Sequence, residues 1–505
     1  MPIRPPTLST LRDISAEFNL ELTDEELALF QDVIEDRLEA YETVSSHHPE
    51  PKLGGTEPRV RNAGTRVSGD DDPHNAWVSE CYVAGDDGGV LAGWDVAIKD
   101  NVFVAGVEMT CGSRVLEGFV PDRDATVVSR LLDAGADIVG KTNMDEMAMT
   151  TTGHSGFGPI HNPVDESRLA GGSSGGSAVV VATGEADAAI GSDQGGSVRI
   201  PAAFCGVVGH KPTYGLVPYT GCIGLEHAID HPGPIGPDVE SVARLLTVLA
   251  GSNEQDMRAH APVPTRQYED DLTEDPDPGS LSIGVLEEGF DYHGSDAGVL
   301  ETTRAAIDTL GDHGAHLEEV SAPLHHDAHD IHSVCAPEGL VDAVLGEGLG
   351  HGWKAWYTRS WIEMFGNARR TKAGDFPPML KVLLLAGRYM SQTYHSRYYG
   401  QAMNLAVALT EQYDALLETY DVLAMPTTVV TAPEHRPEQD AYDRLRETAV
   451  IDNTTPFNRT GHPAISVPAG TADGLPVGLS LVSRRFDDTT VLQAAHALES
   501  VRSDS

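Results

Sequence analysis

Lysine is scarce in this sequence. The 505 residues include only seven lysines, at positions 52, 99, 141, 211, 354, 372 and 381, and 77 Asp and Glu give a net charge of -43. Such a surface lacks the basic footprint that nucleic-acid phosphates need, so we expect no nucleic-acid partner. The acidic residues are spread along the whole chain, and at molar salt, where the Debye length is about 3 Å, their repulsion is screened. This pattern predicts a protein adapted to high salt.

Paired cysteines and long apolar runs are also missing. The five cysteines show no C-x-x-C spacing and their number is odd, which excludes a disulfide framework or a zinc ribbon. No stretch approaches 18 apolar residues, and the first residues lack the apolar core of a signal peptide. We therefore expect a soluble, cytoplasmic protein with no membrane partner.

The residues that are present divide the chain into an N-terminal part, 1–80, and a larger part, 81–500. Residues 22–44, "LTDEELALFQDVIEDRLEAYETV", predict an amphipathic helix capped by Thr23, and the Pro/Gly/Asp-rich stretch 45–75 is typical of a linker. From residue 91 short apolar strands alternate with helical patterns, which favours an α/β layered sheet. Residues 322–420 are mostly helical in pattern and form a candidate substrate region.

A glycine- and serine-rich stretch, "AGGSSGGSAVV" at 170–180, has three possible interpretations. A phosphate-binding loop needs a lysine close by, and the nearest downstream lysine is Lys211. A flexible linker is disfavoured because the stretch runs directly into apolar residues. A catalytic segment remains, and a second tract, "SDQGGSVRIP", follows it within the same region.

The second tract offers the better nucleophile. Backbone N–H groups at Gly195 and Gly196 are unshielded just before Ser197, so residues 194–197 can form an oxyanion hole. The expected base is Lys99, which ends the apolar run "WDVAIK" in a chain nearly devoid of lysine. A lysine can act as a base only if its pKa falls from about 10.4 to near 7 or 8, a change of about 4 kcal/mol that burial can supply. A lysine at a strand end that reaches water is the alternative.

Several motifs resemble the amidase signature family in order and spacing. They are "VAIKDN", "GKTNMDEMAM", "AGGSSGGSAVVVATG", "GSDQGGSVRIPAAFCGVVGHKPTYGLVP", "DHPGPIG", "AMPTT" and "GLPVGLSLV", within about residues 90–498. The resemblance implies an amidase-signature α/β fold, with a large mixed central sheet covered by helices on both faces. The core motifs lie within residues 91–250, and the N-terminal helical segment is additional.

The resemblance also implies a Lys/cis-Ser/Ser triad. Lys99 matches the base, Ser173 the bridging serine that follows a cis peptide bond, and Ser197 the acyl-accepting nucleophile. Neither a metal nor an organic cofactor is expected.

Four further residues around the two serine-rich tracts are candidates for the site. Gln194 belongs to the expected oxyanion hole and substrate-binding set, and Ser174 is expected to support the bend at Ser173. Asp193 is expected to hold the turn before the hole, although an exposed turn aspartate is an alternative. For Arg199, a hydrogen bond to that turn competes with a surface ion pair.

The histidines of "HHDAHDIH", residues 325–332, have no assigned role. His325, His329 and His332 share a helical face, so a zinc site is one hypothesis. A solvated helix near the substrate channel is the other, and some of these histidines could line the acyl pocket.

The predicted function is hydrolysis of an aliphatic or aryl carboxamide to carboxylic acid and ammonia. Gln194, the stretch "AIDHPGP" around Asp230 and His231, and the N-terminal helices resemble stand-alone, often enantioselective amidases associated with nitrile hydratases. In those enzymes the N-terminal helices commonly support a homodimer. The alternative is the glutamine-hydrolysing A subunit of a tRNA-dependent amidotransferase, which works in an assembly. A catalytically silent scaffold on the same fold is a third hypothesis, and the presence of Lys99, Ser173 and Ser197 disfavours it.

Overall fold

The computed structural model describes residues 3–47, 59–67, 69–256, 258, 263–273, 276–446 and 450–503. The chain divides into two compact units, Met1–Leu53 and Gly54–Ser505. The predicted domain boundary at residue 80 differs from this division. It falls inside a strand, Trp77–Val83, and a further strand, Arg61–Arg66, occupies part of the stretch expected to be a linker.

The N-terminal unit contains two helices, α1 (Leu8–Glu17) and α2 (Asp24–Ser45). The predicted cap of α2 is confirmed. Thr23 Oγ1 accepts the Glu26 N–H at 3.2 Å, and the Glu26 carboxylate accepts the Thr23 N–H at 2.8 Å. This capping box satisfies two backbone donors that the first turn of a helix leaves unpaired.

The apolar stripe of α2 is only partly covered. Leu27 is buried, whereas Phe30 and Tyr41 on the same helix are exposed. Apolar side chains of this size on one exposed helix face are typical of an interaction surface.

The second unit is built on a mixed sheet of twelve strands. Their spatial order is β1-β2-β4-β3-β7-β9-β8-β13-β14-β12-β10-β11, and β5 and β6 pair separately. In chain order the strands are β1 (Arg61–Arg66), β2 (Trp77–Val83), β3 (Asp95–Lys99), β4 (Asp137–Thr142), β5 (His154–Ser155), β6 (Gly158–Pro159), β7 (Ala188–Asp193), β8 (Val208–Lys211), β9 (His231–Gly236), β10 (Ser282–Leu286), β11 (His316–Val320), β12 (Val422–Pro426), β13 (Ala464–Ala472) and β14 (Leu475–Val482).

Eleven α-helices are described in this unit. They are α3 (Thr126–Asp133), α4 (Gly175–Ala182), α5 (Arg199–Cys205), α6 (Val239–Leu249), α7 (Ala297–Asp312), α8 (Ala328–Leu345), α9 (Arg359–Thr371), α10 (Pro378–Tyr394), α11 (Arg397–Leu417), α12 (Thr455–Thr460) and α13 (Asp488–Ser503). The helical character expected for residues 322–420 is confirmed by α8 to α11.

Helices cover both faces of the sheet, as the predicted α/β fold requires. Along β3, Val96 and Ile98 pack in the large apolar cluster that also contains residues of α3, α6 and α13. Ala97 points to the opposite face and packs in a second cluster with residues of α4 and α5. Because successive side chains of a strand alternate between faces, the two clusters are separate layers on either side of the sheet.

The centre of the sheet positions the expected site. Strand β3 pairs in parallel with β4 on one side and β7 on the other, and every residue of β7 is buried. Strands covered on both faces are typical of a parallel sheet interior. The carboxyl ends of β3 and β7 lie at the same edge, so Lys99 and the turn after Asp193 come together there.

All five cysteines are buried and free. None of the described helices combines the length and hydropathy that a bilayer crossing requires.

Candidate active site

Lys99 ends β3 and is fully buried. Its Nζ lies 2.8 Å from Ser173 Oγ, 3.0 Å from Ser192 Oγ and 3.2 Å from the Ser192 carbonyl oxygen. A neutral amine has two N–H donors and one lone pair. It can therefore donate to both oxygens of Ser192 and accept the proton of the Ser173 hydroxyl.

Burial determines the charge of this amine. It lowers the pKa of Lys99 to about 7, although the carboxylates of Asp145 and Asp193 act in the opposite direction. The value is close to neutrality, as expected for a lysine that works as a general base. The alternative of a lysine that reaches water does not agree with a side chain that has no exposed surface.

Ser173 lies before α4, and the peptide bond between Gly172 and Ser173 is cis, as the resemblance implies. A side chain at position 172 has no room, since a Cβ there would lie 2.0 Å from Asp145 Oδ1. Asp145 is itself fixed by the N–H of Gly153 at 3.0 Å, and its own N–H donates to the Ser173 carbonyl at 3.2 Å. The bend at Ser173 is therefore held by contacts with Lys99 at the end of β3 and with Asp145 after β4.

Ser197 follows β7 at the start of the turn into α5. Its carbonyl oxygen accepts the Ser174 N–H at 3.1 Å, which ties the two serine-rich tracts together. No described residue hydrogen-bonds to the Ser197 hydroxyl or joins it to Ser173 in this structure. The side chain instead lines a cavity.

The turn 194–197 provides three N–H groups that lack an acceptor within the described residues: those of Gln194, Gly195 and Ser197. The N–H of Gly196 is different, because it donates to Asp193 Oδ1 at 2.7 Å. An anion beside Ser197 therefore meets three backbone donors, and Gly196 contributes the shape of the turn, with a φ of 121° that favours glycine.

Asp193 stabilises this turn through hydrogen bonds and an ion pair. Its carboxylate accepts the N–H groups of Gly196 and Val198 and pairs with the Arg199 guanidinium, whose Nε lies 3.0 Å from Oδ2. Burial alone raises the pKa of Asp193, but Arg199 and the amide of Asn458 outweigh it and hold the pKa well below its usual range. Both Asp193 and Arg199 are fully buried, so neither is the exposed residue of the alternative interpretation.

Gln194 and Ser174 brace the same region. Gln194 Nε2 donates to the Tyr219 hydroxyl at 3.0 Å, and the residue lines the cavity. Ser174 Oγ donates to the Ser192 carbonyl at 3.2 Å, which links the segment before α4 to β7.

Three residues around the site were not identified from the sequence. Ser192 supplies two of the three oxygens around Lys99, and Asn101 Nδ2 orients its hydroxyl with a contact of 2.9 Å. Asn458 Nδ2 donates to Asp193 Oδ1 at 2.8 Å from a helix 265 residues away. Ser192 and Asn101 each lie within two residues of a predicted site residue, and this proximity is the only sequence signal for them.

A cavity of about 320 Å³ opens onto Ser197, Gln194 and Gly195. Its remaining wall is mostly apolar and comes from five other regions of the chain. These residues include Met149, Leu225, Ala336, Pro337, Leu340, Pro377, Met379, Leu383 and Ile451. The arrangement suits a substrate whose reacting carbonyl lies at the turn 194–197 and whose other end is apolar.

The three candidate histidines have different surroundings. His329 and His332 of α8 line the cavity, whereas His325 is turned away and bonds Tyr413 Oη at 2.6 Å and Asn453 Oδ1 at 2.9 Å. Among the described residues, no three His, Cys, Asp or Glu side chains are arranged to hold a metal ion. The zinc hypothesis for this segment therefore has no ligand set there.

Comparisons with known proteins show the family of the chain. The sequence model of the amidase family matches residues 62–492. The chain is 45% identical to the A subunit of the glutamyl-tRNA(Gln) amidotransferase of Haloarcula marismortui over 430 residues, 84% of this chain and 99% of that protein. It is 39% identical to the enantioselective amidase of Rhodococcus rhodochrous over 505 residues, 98% of this chain and 95% of that protein. The crystal structure of the A subunit of the glutamyl-tRNA(Gln) amidotransferase of Thermotoga maritima has a TM-score of 0.69 at 34% identity, covering 85% of this chain and 88% of that one.

Proposed function

The chain belongs to the amidase family and is an enzyme of amide C–N bonds, and from that premise we propose that it hydrolyses a carboxamide through an acyl-enzyme on Ser197. The observation that carries this proposal is the buried contact of 2.8 Å between Lys99 Nζ and Ser173 Oγ, beside a serine that faces a cavity. Lys99 is the proposed base and Ser173 the proton carrier between it and Ser197.

In the first step the Ser197 hydroxyl gives its proton to Ser173, whose own proton passes to neutral Lys99. The Ser197 oxygen forms a bond to the carbonyl carbon, and the carbonyl π electrons move to its oxygen. The N–H groups of Gln194, Gly195 and Ser197 stabilise this oxyanion, each by about 3 kcal/mol.

In the second step the oxyanion collapses and the C–N bond breaks. The proton held on Lys99 returns through Ser173 to the leaving nitrogen, and ammonia departs. Water then gives a proton to the same pair and attacks the acyl-enzyme. The carboxylic acid leaves, and Ser197 recovers its proton.

For the acyl group we propose an aliphatic or aryl chain. The cavity wall opposite Ser197 is mostly apolar, and a smaller apolar space of about 50 Å³ adjoins it. The two spaces share Ala148, Met149, Leu225 and Leu340 as a common wall. The Rhodococcus amidase supports a stand-alone amidase, because its alignment spans 98% of the chain and so includes most of the N-terminal unit, whereas that of the Haloarcula protein spans 84%.

The second candidate is hydrolysis of glutamine within an amidotransferase assembly. By identity the comparisons favour this candidate over the first, since the Haloarcula protein matches at 45% over nearly its whole length. The cavity is also lined by one acidic and one basic side chain, which could bind the ammonium and carboxylate groups of an amino acid. Glu146 accepts the Ser113 hydroxyl at 2.6 Å, and Arg444 donates to the Gln439 carbonyl at 2.8 Å.

The exposed face of α2, with Phe30 and Tyr41, supports a further part of the proposal, a homodimer through the N-terminal helices. A stand-alone amidase needs no partner subunit of a different sequence, whereas the second candidate does. Sedimentation of the purified chain tests the dimer separately from its activity.

One assay separates the candidates. The purified chain is given propionamide, benzamide or glutamine in several molar KCl, and ammonia is measured. Release from the simple amides without partners supports the first candidate. Release from glutamine only, and only after partner subunits are added, supports the second, and no release from any of the three, with or without partners, by a folded protein supports the scaffold hypothesis.

The Ser197→Ala variant tests the mechanism in the same assay. It should release no ammonia and transfer no acyl group to hydroxylamine. Full activity of this variant would exclude Ser197 as the nucleophile.

A further inference from the structure

His332 lies one turn into α8 and faces the reacting end of the cavity. Its ring approaches the backbone of Gly195, because a Cβ built at that glycine would lie 3.9 Å from both Cε1 and Nε2. Gly195 carries one of the three free N–H groups of the turn. The imidazole is thus beside the turn that carries these donors.

The ring of His332 differs from those of its neighbours in having no partner. Neither of its nitrogens hydrogen-bonds to any described residue, and Nδ1 is shielded from solvent. By contrast, His325 has two partners, and His329 Nδ1 lies 3.0 Å from Asp452 Oδ1. The Nε2 edge of the ring, which is the edge beside Gly195 in the cavity, is therefore available to a ligand.

The position of the ring proton follows from the same contacts. Burial, together with the nearby charges of Arg459 and His329, lowers the pKa of His332 to about 3, so the ring is neutral. A neutral imidazole carries one N–H. Orphaned buried N–H groups are rarer than orphaned acceptors, which favours the proton on Nε2 and leaves only a lone pair at the shielded Nδ1. Nε2–H then points towards Gly195 and the cavity.

We propose that His332 is a further catalytic residue, whose Nε2–H donates a hydrogen bond to the reacting carbonyl oxygen beside the N–H of Gly195. This inference rests on the proposed function. The donor makes its strongest bond when the oxygen becomes negatively charged, so its effect falls mainly on the transition state. A side chain from α8 thereby completes a set of donors that otherwise comes only from the turn after β7.

The test compares three variants of the full-length enzyme with a simple amide. His332→Leu removes the donor and keeps an apolar side chain. In His332→Gln the side-chain amide N–H lies near the position of Nε2. In His332→Asn, whose side chain is one methylene shorter, the amide lies near the position of Nδ1. We expect kcat of the Leu and Asn variants to fall about 100-fold with KM changed less than about threefold, as for the loss of one oxyanion donor. The Gln variant should recover at least about tenfold of that loss.

The matched control is His326→Leu, the same substitution at a partly exposed histidine that does not line the cavity. Its kcat should equal that of the wild type.

A second readout uses a trifluoromethyl ketone, whose carbonyl becomes a tetrahedral oxyanion when the Ser197 oxygen adds to it. Its inhibition constant should rise in the His332→Leu variant by about the same factor as kcat falls.

Two results overturn the inference alone: an unchanged kcat with a raised KM in His332→Leu, or an equal loss of kcat in the Leu, Asn and Gln variants. If the Leu variant does not fold, the comparison of Asn with Gln gives the same decision. If the wild type releases no ammonia, or Ser197→Ala retains full activity, the proposed function fails and this inference with it. These outcomes separate the two failures.

Discussion

The charge state of Lys99 leads to a prediction about stability as well as catalysis. Burial moves the pKa of this side chain from 10.5 to about 7, which corresponds to about 4 to 5 kcal/mol of free energy. In the folded protein the amine loses its proton near pH 7, whereas in the unfolded chain it keeps the proton until about pH 10.4. The cost of burying this lysine is therefore full below pH 7 and disappears as the pH rises towards 10.4.

Replacing Lys99 with Met removes this pH-dependent cost. The variant also removes the hydrogen bonds of Lys99 with Ser173 and Ser192, but that loss does not depend on pH in this range. The difference in unfolding free energy, variant minus wild type, should therefore decrease by about 2 kcal/mol between pH 7 and pH 9. Activity of the variant should fall at least about 100-fold, as expected for loss of a general base.

Urea denaturation at fixed KCl, at pH 7 and at pH 9, measures this difference. Lys354→Met, a substitution at an exposed lysine, is the control and should give the same difference at both pH values. A difference for Lys99→Met that stays constant between the two pH values would show that the buried amine keeps its proton in the folded state. The proposed role of Lys99 as a base would then be wrong.

Four other predictions concern packing, the turn, the acyl pocket and salt. Gly176→Ala should lower the unfolding free energy by at least about 3 kcal/mol in urea denaturation, because its Cβ would lie 2.2 Å from a backbone oxygen, whereas Gly374→Ala meets no atom within 4 Å and should be neutral. Asp193→Asn should cost about 3 to 5 kcal/mol by the same measurement, because it leaves the Arg199 charge buried without its partner, and a loss below about 1 kcal/mol would contradict that pairing. Met149→Ala should raise kcat/KM for bulky aryl amides relative to propionamide by joining the two apolar spaces, and an unchanged ratio would show that the smaller space is not used. Because the net charge is -43, the melting temperature followed by circular dichroism should rise steadily with KCl concentration, and a flat response would refute adaptation to salt.

The parts of the fold that the sequence predicts well are those with a strong local pattern. Strands β3, β4 and β7 and helices α3 and α4 follow from apolar runs and helical periodicity, and the capping box of α2 follows from Thr23 and Glu26. Strand β1 shows the opposite case. Its sequence, "RNAGTR", has no apolar alternation because it lies at the edge of the sheet and pairs only with β2, so its composition is that of a linker.

The site divides in the same way. Lys99, Ser173 and Ser197 are distinguished by motifs in which spacing and residue type are unusual, and the structure brings Lys99 and Ser173 into contact. The contact of Asn458 with Asp193 and that of His332 with Gly195 join segments more than 130 residues apart. No local pattern specifies such contacts, because they depend on how α8 and α12 pack against the turn after β7.

The walls of the cavity have two origins in the chain. Apart from His332, the proposed reacting groups lie within residues 99–197, on the central strands and the turns that follow them. Much of the facing wall comes from residues 333–340 of α8, from residues 377–383 at the start of α10, and from Ala441, Arg444, Leu445 and Ile451 after β12. Mutations in those later segments can therefore accumulate without disturbing the rigid strands that carry the chemistry. Such a division lets descendants of one ancestor change the amides they accept while they keep the same reaction, and it marks those segments as the place to build a library for new substrates.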